Sequence, residues 1–367
     1  MSNHHQLYTV YLKRAAEAIK SWPLRYWRRG WWQKTLTIFV TIIVICVCGM
    51  YGIAVWYQHS VKSKPNILGV SFIADYASYL GTDPHASLTA ILDDLHVKHL
   101  RLVSYWSDIE PTKGQYDFSE LDWEMQQAQA HGAKVTLSIG LRQPRWPECH
   151  PPNWVNTAAP DSTWEPELDA YMTAVINRYK HSPALESYQL ENEFFNTFGG
   201  CDNYDASRLN RELALVKKLD PNHPVIITRS DNYAGFSLRK PLPDIVGISV
   251  YRHVWTSNII HGYFTYPFPS WYYAFLAGAQ QLLTGKPSVI HELQAEAWAP
   301  NGQTILQTNL AEQDKTLDAA KLKATAKFAQ QTGIKQVDYW GAEYWYYRMT
   351  VLHDPSVWDE AEQIFSQ

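Results

Sequence analysis

The longest run of apolar positions in the chain covers residues 35–57, where 23 consecutive residues carry no charge. A helix of about 20 apolar residues crosses the hydrocarbon core of a bilayer, so this run predicts one transmembrane helix. Trp31, Trp32, Trp56 and Tyr57 stand at its two ends, and aromatic rings of this kind favour the headgroup layers. The pattern therefore predicts a single-pass anchor in the lipid bilayer.

Basic residues are concentrated directly before this run. Residues 1–34 hold seven Lys and Arg against one Glu, although the whole chain has a formal net charge of −4. Lys and Arg mark the cytoplasmic side of a membrane helix, which predicts a cytoplasmic tail at 1–34 and an extracytoplasmic remainder at the cell membrane. A cleaved signal peptide is the alternative, but its basic and apolar regions are usually shorter and no A-x-A site follows. Within the tail, residues 7–20 predict a helix on the inner membrane surface.

After residue 57 the pattern changes to short apolar runs separated by amphipathic stretches. Residues 58–65 are polar and end in proline, which predicts a linker before a folded domain at 66–367. Runs rich in β-branched residues predict buried parallel strands. The eight predicted strands are 66–73, 99–105, 133–139, 185–191, 224–229, 244–250, 287–292 and 335–340.

Helical patterns with start and stop signals separate these strands. A helix is predicted from Ser119 to a stop at Gly132, a second one after Asp205, and a third at 317–332 before Gly333. Strands alternating with helices over about 300 residues predict a (β/α)₈ TIM barrel. An open doubly wound sheet is the alternative, but neither glycine-rich nucleotide-binding motif occurs in the sequence.

Composition narrows the class further. The chain is 46% hydrophobic and 19% charged, which excludes disorder as the main state. A net charge of −4 argues against a nucleic-acid partner. Of four cysteines, Cys46 and Cys48 fall in the apolar run, whereas Cys149 and Cys201 fall in the loops after the third and fourth strands. Those loops are neighbours on one barrel face in an oxidising compartment, so a Cys149–Cys201 disulfide is predicted.

Two glutamates stand where a barrel places its chemistry, at the C-terminal ends of strands. Glu193 follows the fourth strand, and Glu292 ends the seventh. Two carboxyl groups across the mouth of a barrel suit glycoside hydrolysis, in which one protonates the leaving oxygen and the other attacks the anomeric carbon. For a retaining mechanism their separation is expected to be about 5–5.5 Å.

The residues around these glutamates resemble a known family. The run WSDIEPTKGQYDFSELD (106–122), the Asn192–Glu193 pair and Glu292 are similar to clan A of the glycoside hydrolases, in particular its β-galactosidase-like and xylosidase-like branches. The resemblance covers residues 66–355 and implies a retaining (β/α)₈ glycosidase. The segment HELQAEAW around Glu292 matches no single family of the clan, so the substrate stays open.

The resemblance also implies residue roles. Glu193 takes the acid/base position and Glu292 the nucleophile position. Asn192 would bind the sugar 2-hydroxyl, Arg101 would lie beneath the nucleophile, and Tyr251 would orient it. A positive neighbour favours an ionised nucleophile, whereas the acid/base residue must hold a proton.

The residues leave alternatives to these roles. Glu191 is two positions before Glu193 and so is expected on the same strand face, where it is either the acid or a barrel charge paired with Arg101 or another base. Glu296 is an alternative nucleophile. His291 and Glu292 begin an H-E-x-x-H zinc motif that fails at its fifth position, and no Cys/His spacing predicts a metal or another cofactor.

Aromatic residues make up 14% of the chain and are dense at 251–275. The rings of this segment have three predicted roles: stacking on sugar, packing on a barrel helix, which we prefer for 271–275, and bilayer contact, considered for 263–268. The resemblance implies that Trp340 lies under the reacting sugar. Sugar contacts are also predicted for Trp106, Trp146 and Trp298, and considered for Trp154.

These patterns together predict a membrane-anchored, outward-facing retaining β-glycoside hydrolase. Its substrate would be a β-linked oligo- or polysaccharide or a glycoconjugate. The alternatives are a catalytically inactive barrel that binds glycan or protein, which loss of either carboxylate would mark, and a transglycosylase acting on envelope glycans. The sequence leaves open the sugar, the linkage, exo or endo action and the oligomeric state.

Overall fold

The computed structural model describes residues 30–196, 199–200, 204–229, 238, 240–257 and 260–366. The chain divides into a unit of residues 1–52 and a larger unit of residues 53–367. Helix α1 (Trp31–Ser60) is long and apolar enough to cross a membrane. A signal sequence near an N terminus has the same length and composition. The helix predicted at 7–20 lies outside the described residues.

The last turns of α1 pack within the larger unit. Tyr57 and Val61 are buried there. A Cβ atom on Gly278 would lie 2.9 Å from the Cβ of Tyr57, so glycine is required for this close approach. The predicted linker is therefore helical as far as Ser60, because the packing of α1 outweighs the polar composition of the segment. Tyr57 contacts protein on this side, and its predicted place in a headgroup layer stays a prediction.

Eight parallel strands close into a barrel, which confirms the predicted TIM-barrel architecture. A closed barrel also shows that the open doubly wound alternative is wrong. Each barrel strand overlaps one of the predicted runs. The strands are β1 (Ile67–Ser71), β2 (His99–Leu102), β3 (Lys134–Ile139), β4 (Leu185–Leu190), β5 (Val225–Arg229), β6 (Ile245–Val250), β7 (His253–Thr256), β8 (Gly262–Thr265), β9 (Ser288–Gln294) and β10 (Gln336–Trp340), of which β7 and β8 form a separate hairpin.

Helices connect the strands, and two of them begin after an aspartate cap, of which Asp205 was predicted. Asp205 accepts a hydrogen bond from the backbone of Ser207, and Asp318 accepts one from the backbone of Lys321. The helices after α1 are α2 (Ala74–Tyr79), α3 (Pro84–Asp93), α4 (Trp106–Ile109), α5 (Ser119–Ala130), α6 (Asp161–Tyr179), α7 (Ala206–Leu219), α8 (Ser270–Thr284), α9 (Leu310–Gln313), α10 (Ala319–Thr332), α11 (Ala342–Thr350) and α12 (Ser356–Phe365).

The barrel interior contains a buried polar layer. Asp338 on β10 lies 2.6 Å from Nδ1 of His99 and 2.7 Å from Nδ1 of His291. Gly69 leaves the room for this group, because a Cβ there would lie 2.3 Å from the Asp338 carboxylate. His291 directly precedes Glu292, so the layer fixes the strand that carries one of the two candidate carboxylates.

Candidate active site

Glu193 and Glu292 are both buried at the C-terminal rim of the barrel, each 4% exposed. Ser249 on β6 links them. It is the register partner of Glu292 on β9, and its hydroxyl donates a 2.6 Å hydrogen bond to Oε1 of Glu193. Because neighbouring strands lie about 4.8 Å apart, the hydrogen bond from Ser249 places the carboxyl group of Glu193 beside the strand that carries Glu292. Their separation of about 5–5.5 Å stays a prediction.

Glu292 is held through both carboxylate oxygens. Nη1 of Arg101 donates to Oε1 at 2.9 Å, and the hydroxyl of Tyr251 donates to Oε2 at 2.6 Å. The guanidinium is fully buried, and a buried positive group stabilises negative charge on its partner. Burial, with the negative charge of Glu292, raises the pKa of Tyr251 well above its usual value, so its hydroxyl stays a donor. A carboxylate oriented in this way can act as a nucleophile.

Asn192 directly precedes Glu193 and belongs to the hydrogen-bond network of Arg101. Its Oδ1 accepts 2.8 and 2.9 Å hydrogen bonds from Arg101 and Gln189. Its Nδ2 donates to Oε2 of Glu148 at 2.9 Å. An amide nitrogen carries two hydrogens, so the side chain can still donate to a ligand hydroxyl.

Glu148 joins the site although sequence reasoning did not select it. It lies in the loop after β3 and is 6% exposed. Burial, opposed by the hydrogen bond from Asn192 and reinforced by the negative charge of Glu292, raises the pKa of Glu148 to about 7. Its position beside Cys149 gave no signal, because only the path of the loop turns this side chain toward Asn192.

Glu191 lies on a different side of the chain from Glu193, so the expectation of a shared face is wrong. Strand β4 ends at Leu190, and both glutamates have positive φ angles, 55° and 44°, which break the strand alternation. Glu191 accepts two backbone N–H bonds from the loop after β3 and pairs with Arg208 at 2.9 Å. Its carboxylate thus has the structural role considered for it, with Arg208 rather than Arg101 as the base.

Glu296 makes a separate set of contacts from those that orient Glu292. Its carboxylate accepts hydrogen bonds from Arg145 at 3.1 and 3.2 Å and from Nε1 of Trp340 at 3.0 Å. The Arg145 guanidinium also lies 4.5 Å from the centre of the Trp340 ring. Glu296 therefore supports Trp340, and these contacts favour Glu292 as the nucleophile.

The four tryptophans predicted to contact sugar divide by exposure. Trp146 is 71% exposed and Trp298 is 41% exposed, with the Trp298 ring packed edge-on against Tyr251 at 5.5 Å. Trp340 is nearly buried, at the end of β10. Trp106 has no exposed surface, so its predicted sugar contact is wrong. Its Nε1 donates a hydrogen bond to Glu110, and its ring packs edge-on against Trp154.

The aromatic segment after β6 divides into two parts. A hairpin that the sequence pattern did not predict, β7 with β8, carries Trp255 opposite Tyr263. In α8, Tyr273 is buried, while Trp271, Tyr272 and Phe275 pack against the core. The preferred interpretation of 271–275 as helix packing agrees with these contacts. Bilayer contact by 263–268 stays a prediction.

Cys149 forms a disulfide in the loop after β3. Its predicted partner, Cys201, lies outside the described residues, so the pairing stays a prediction. Within the described ranges, no cluster of three or more His, Cys, Asp or Glu side chains is arranged to hold a metal ion. That the reaction needs no metal or other cofactor stays a prediction too.

Comparison with known proteins bears on this arrangement. Residues 86–168 match the family model of glycoside hydrolase family 42, described as β-galactosidase. The chain is similar to clan A glycoside hydrolases. The matched segment contains Arg101 and the 106–122 run, whereas both candidate carboxylates lie beyond it. No protein of curated function matches the sequence.

Solved structures share the barrel at low identity. A cold-adapted β-galactosidase from Rahnella sp. R3 is 14% identical with a TM-score of 0.54, covering 83% of this chain and 56% of its own. An exo-β-1,4-mannosidase from Opitutaceae bacterium strain TAV5 is 14% identical with a TM-score of 0.51, covering 75% and 52%. A GH5_18 protein from Bifidobacterium longum subsp. infantis is 15% identical with a TM-score of 0.51, covering 75% and 69%. The chain thus spans about half the length of the first two structures.

Proposed function

We propose that this chain is a retaining β-glycoside hydrolase in which Glu292 is the nucleophile and Glu193 the acid/base residue. The observation that carries the proposal is the pair of hydrogen bonds from Arg101 and Tyr251 to Glu292, with Ser249 joining its strand to Glu193. Arg101 forms an ion pair with Glu292, and the neutral hydroxyl of Ser249 donates to Glu193. An acid and a nucleophile need different environments of this kind.

The reaction has two balanced steps. First, a carboxylate oxygen of Glu292 forms a bond to the anomeric carbon while the glycosidic carbon–oxygen bond breaks, and Glu193 gives its proton to the leaving oxygen. Second, Glu193 takes a proton from water, whose oxygen attacks the anomeric carbon and releases Glu292 as a carboxylate. The product keeps the configuration of the substrate, and Glu193 has recovered its proton.

Four neighbours would assist these steps. Arg101 and Tyr251 would orient Glu292 and stabilise it as the leaving carboxylate of the second step. Asn192 would donate its second amide hydrogen to the sugar 2-hydroxyl, a contact that strengthens in the transition state. Trp340, braced by Glu296 and Arg145, would pack against the apolar face of the reacting sugar.

The substrate class we propose is a β-linked oligo- or polysaccharide or a glycoconjugate. The similar proteins include a β-galactosidase and an exo-β-1,4-mannosidase, which differ in the sugar they recognise. A panel of aryl β-glycosides tested with the detergent-solubilised full chain should show hydrolysis of at least one sugar, with a product that first appears as the β anomer. No turnover on any member, or an α anomer formed first, would count against the proposal.

Tyr251→Phe should reduce kcat/KM on the best aryl glycoside by about 10- to 100-fold, because a hydrogen bond to a charged group contributes roughly 1.5–3 kcal/mol. The ring stays, so the fold should be kept. Tyr79→Phe is a matched control, since Tyr79 is exposed on α2. If Tyr251→Phe changes kcat/KM no more than the control does, Tyr251 has no part in orienting Glu292.

We also propose that α1 is a retained anchor with the barrel outside the cytoplasm, supported by its apolar length and by the basic residues before it. Protease added to intact cells should then remove the 58–367 domain, while a cytoplasmic marker stays intact. Immunoblotting of cells and medium measures this. Domain that accumulates in the medium without protease would instead indicate a cleaved signal sequence.

A further inference from the structure

A cleft of about 240 Å³ lies beside the C-terminal ends of β1 and β2, with neither Glu193 nor Glu292 in its lining. Its walls are rich in carboxylic acids and, among the residues that the structure describes, contain no Lys, Arg or His. Apolar side chains, including Ile73 and Leu121, form much of the rest of its wall. The acids are Asp75, Asp108, Asp117, Glu120 and Glu124.

Two of these acids have structural partners. Asp117 accepts a 2.9 Å hydrogen bond from the backbone of Ser119 at the start of α5. Glu120 lies 3.0 Å from Nε2 of His85. Helix capping and an ion pair therefore explain these two carboxylates. Of the other three acids, Asp108 accepts a 2.9 Å hydrogen bond from the hydroxyl of the neighbouring Ser107, which carries no positive charge.

Glu124 has no such explanation. It is 4% exposed and lines the cleft. Its carboxyl group has no hydrogen bond or ion pair within the described part of the chain. A buried polar group without a partner costs free energy, and an unpaired buried charge costs more. Burial and the negative charges of Glu120 and Asp75 raise the pKa of Glu124 well above its usual value. A cation bound beside Glu124 would favour the ionised form of its carboxyl group.

Asp75 and Asp108 also line the cleft, and unlike Glu124 both residues are exposed to solvent. Partial burial and the nearby negative charge of Asp75 raise the pKa of Asp108 to about 6. Together with Glu124 they form a set of three carboxyl groups without a counter-charge in the described structure.

The missing counter-charge has the properties of an organic ammonium group. No cluster of acids among the described residues is arranged to hold a metal ion. The cleft volume of about 240 Å³ approaches the roughly 300 Å³ of small-ligand pockets and far exceeds the share of one water, about 30 Å³. A lining that combines acid groups with apolar side chains suits a sugar ring that carries an amine.

The cleft shares a wall with the candidate active site. Tyr105 lines the cleft, its hydroxyl donates to the carbonyl of Pro144, and its ring stacks on His150 at 3.6 Å. The loop that holds Pro144 and His150 also holds Glu148, which bonds Asn192. A glycan bound at the site thus has a binding surface for a further unit next to it.

We infer that this cleft binds the ammonium group of an amino sugar unit in a glycan, with Glu124 and Asp108 as its ionic contacts. The identification of the ligand as a glycan rests on the proposed function. The charge and the size of the bound ammonium group are inferred from the cleft alone. The inference assigns the chain a preference for glycans with free amines over their N-acetylated forms.

Calorimetry on the full chain carrying Glu292→Gln tests this without turnover. The probes are a β-linked glucosamine trisaccharide with protonated amines and its N-acetylated equivalent. The amine form should bind at least tenfold more tightly. Glu124→Gln and Asp108→Asn should each weaken its binding about tenfold and leave the acetylated form unchanged. Asp94→Asn is the matched control, since Asp94 is exposed beside α3 and outside the cleft.

Equal affinities for the two probes would overturn the inference. So would an unchanged affinity for the amine form in both cleft variants, with thermal unfolding showing that they are folded. Selective binding of the amine form by a chain that cleaves no aryl glycoside would support the cleft and refute the proposed enzyme. Cleavage without such selectivity would refute the cleft alone.

Discussion

Glu292→Gln should lower kcat on aryl β-glycosides by on the order of 10⁴-fold or more, because the amide cannot form the glycosyl-enzyme bond. The amide oxygen can still accept the hydrogen bond that Arg101 donates at 2.9 Å, so the fold should survive. Steady-state kinetics and a thermal unfolding midpoint measure the two expectations separately. The large effect is specific to a nucleophile, since a residue that only binds sugar would mainly change KM.

Glu296→Gln is the matched control for this change. It lies four residues further along the chain and is held by Arg145 and Trp340. Its replacement should cost far less activity, through a less well-supported Trp340. If instead Glu296→Gln abolishes turnover while Glu292→Gln retains it, Glu296 is the nucleophile. Arg101 would then not orient the nucleophile.

Glu193→Ala should give a different kinetic signature. An activated aryl leaving group needs little protonation, so the first step should continue, whereas the second step loses its base. Glycosyl-enzyme should accumulate, and the activity on unactivated glycosides should fall by about 10²–10⁴-fold. Added azide should restore turnover on aryl glycosides by attacking the intermediate, giving a β-glycosyl azide that NMR identifies.

Glu191→Gln separates the acid/base role from a structural one. The amide keeps an acceptor for the backbone N–H groups that Glu191 binds, but it loses the ion pair with Arg208. This variant should lose stability and show no azide rescue. Azide rescue in Glu191→Gln with a fully active Glu193→Ala would make Glu191 the acid. A carboxyl separation near 9 Å between Glu193 and Glu292 would indicate inversion instead.

The strand ends were the part of the site that the sequence could predict. Parallel strands buried on both faces are continuous apolar runs, so their ends are visible in the order of residues, and the barrel brings all those ends to one rim. Arg101 and Tyr251 were placed by a family resemblance, and the contacts with Glu292 agree with that placement. Ser249 carried no such signal, because a serine in a strand has many ordinary roles.

The order of residues determined features that depend on local pattern: the apolar helix, the eight barrel strands, and the rim positions of Glu193 and Glu292. Only the tertiary structure decided which side chains meet there. Positive φ angles turned Glu191 toward Arg208, although strand alternation had put it beside Glu193. Tertiary packing buries Trp106 and brings the acids of the cleft together from separate segments. Such contacts depend on loop conformation and on distant partners, which hydrophobic periodicity does not encode.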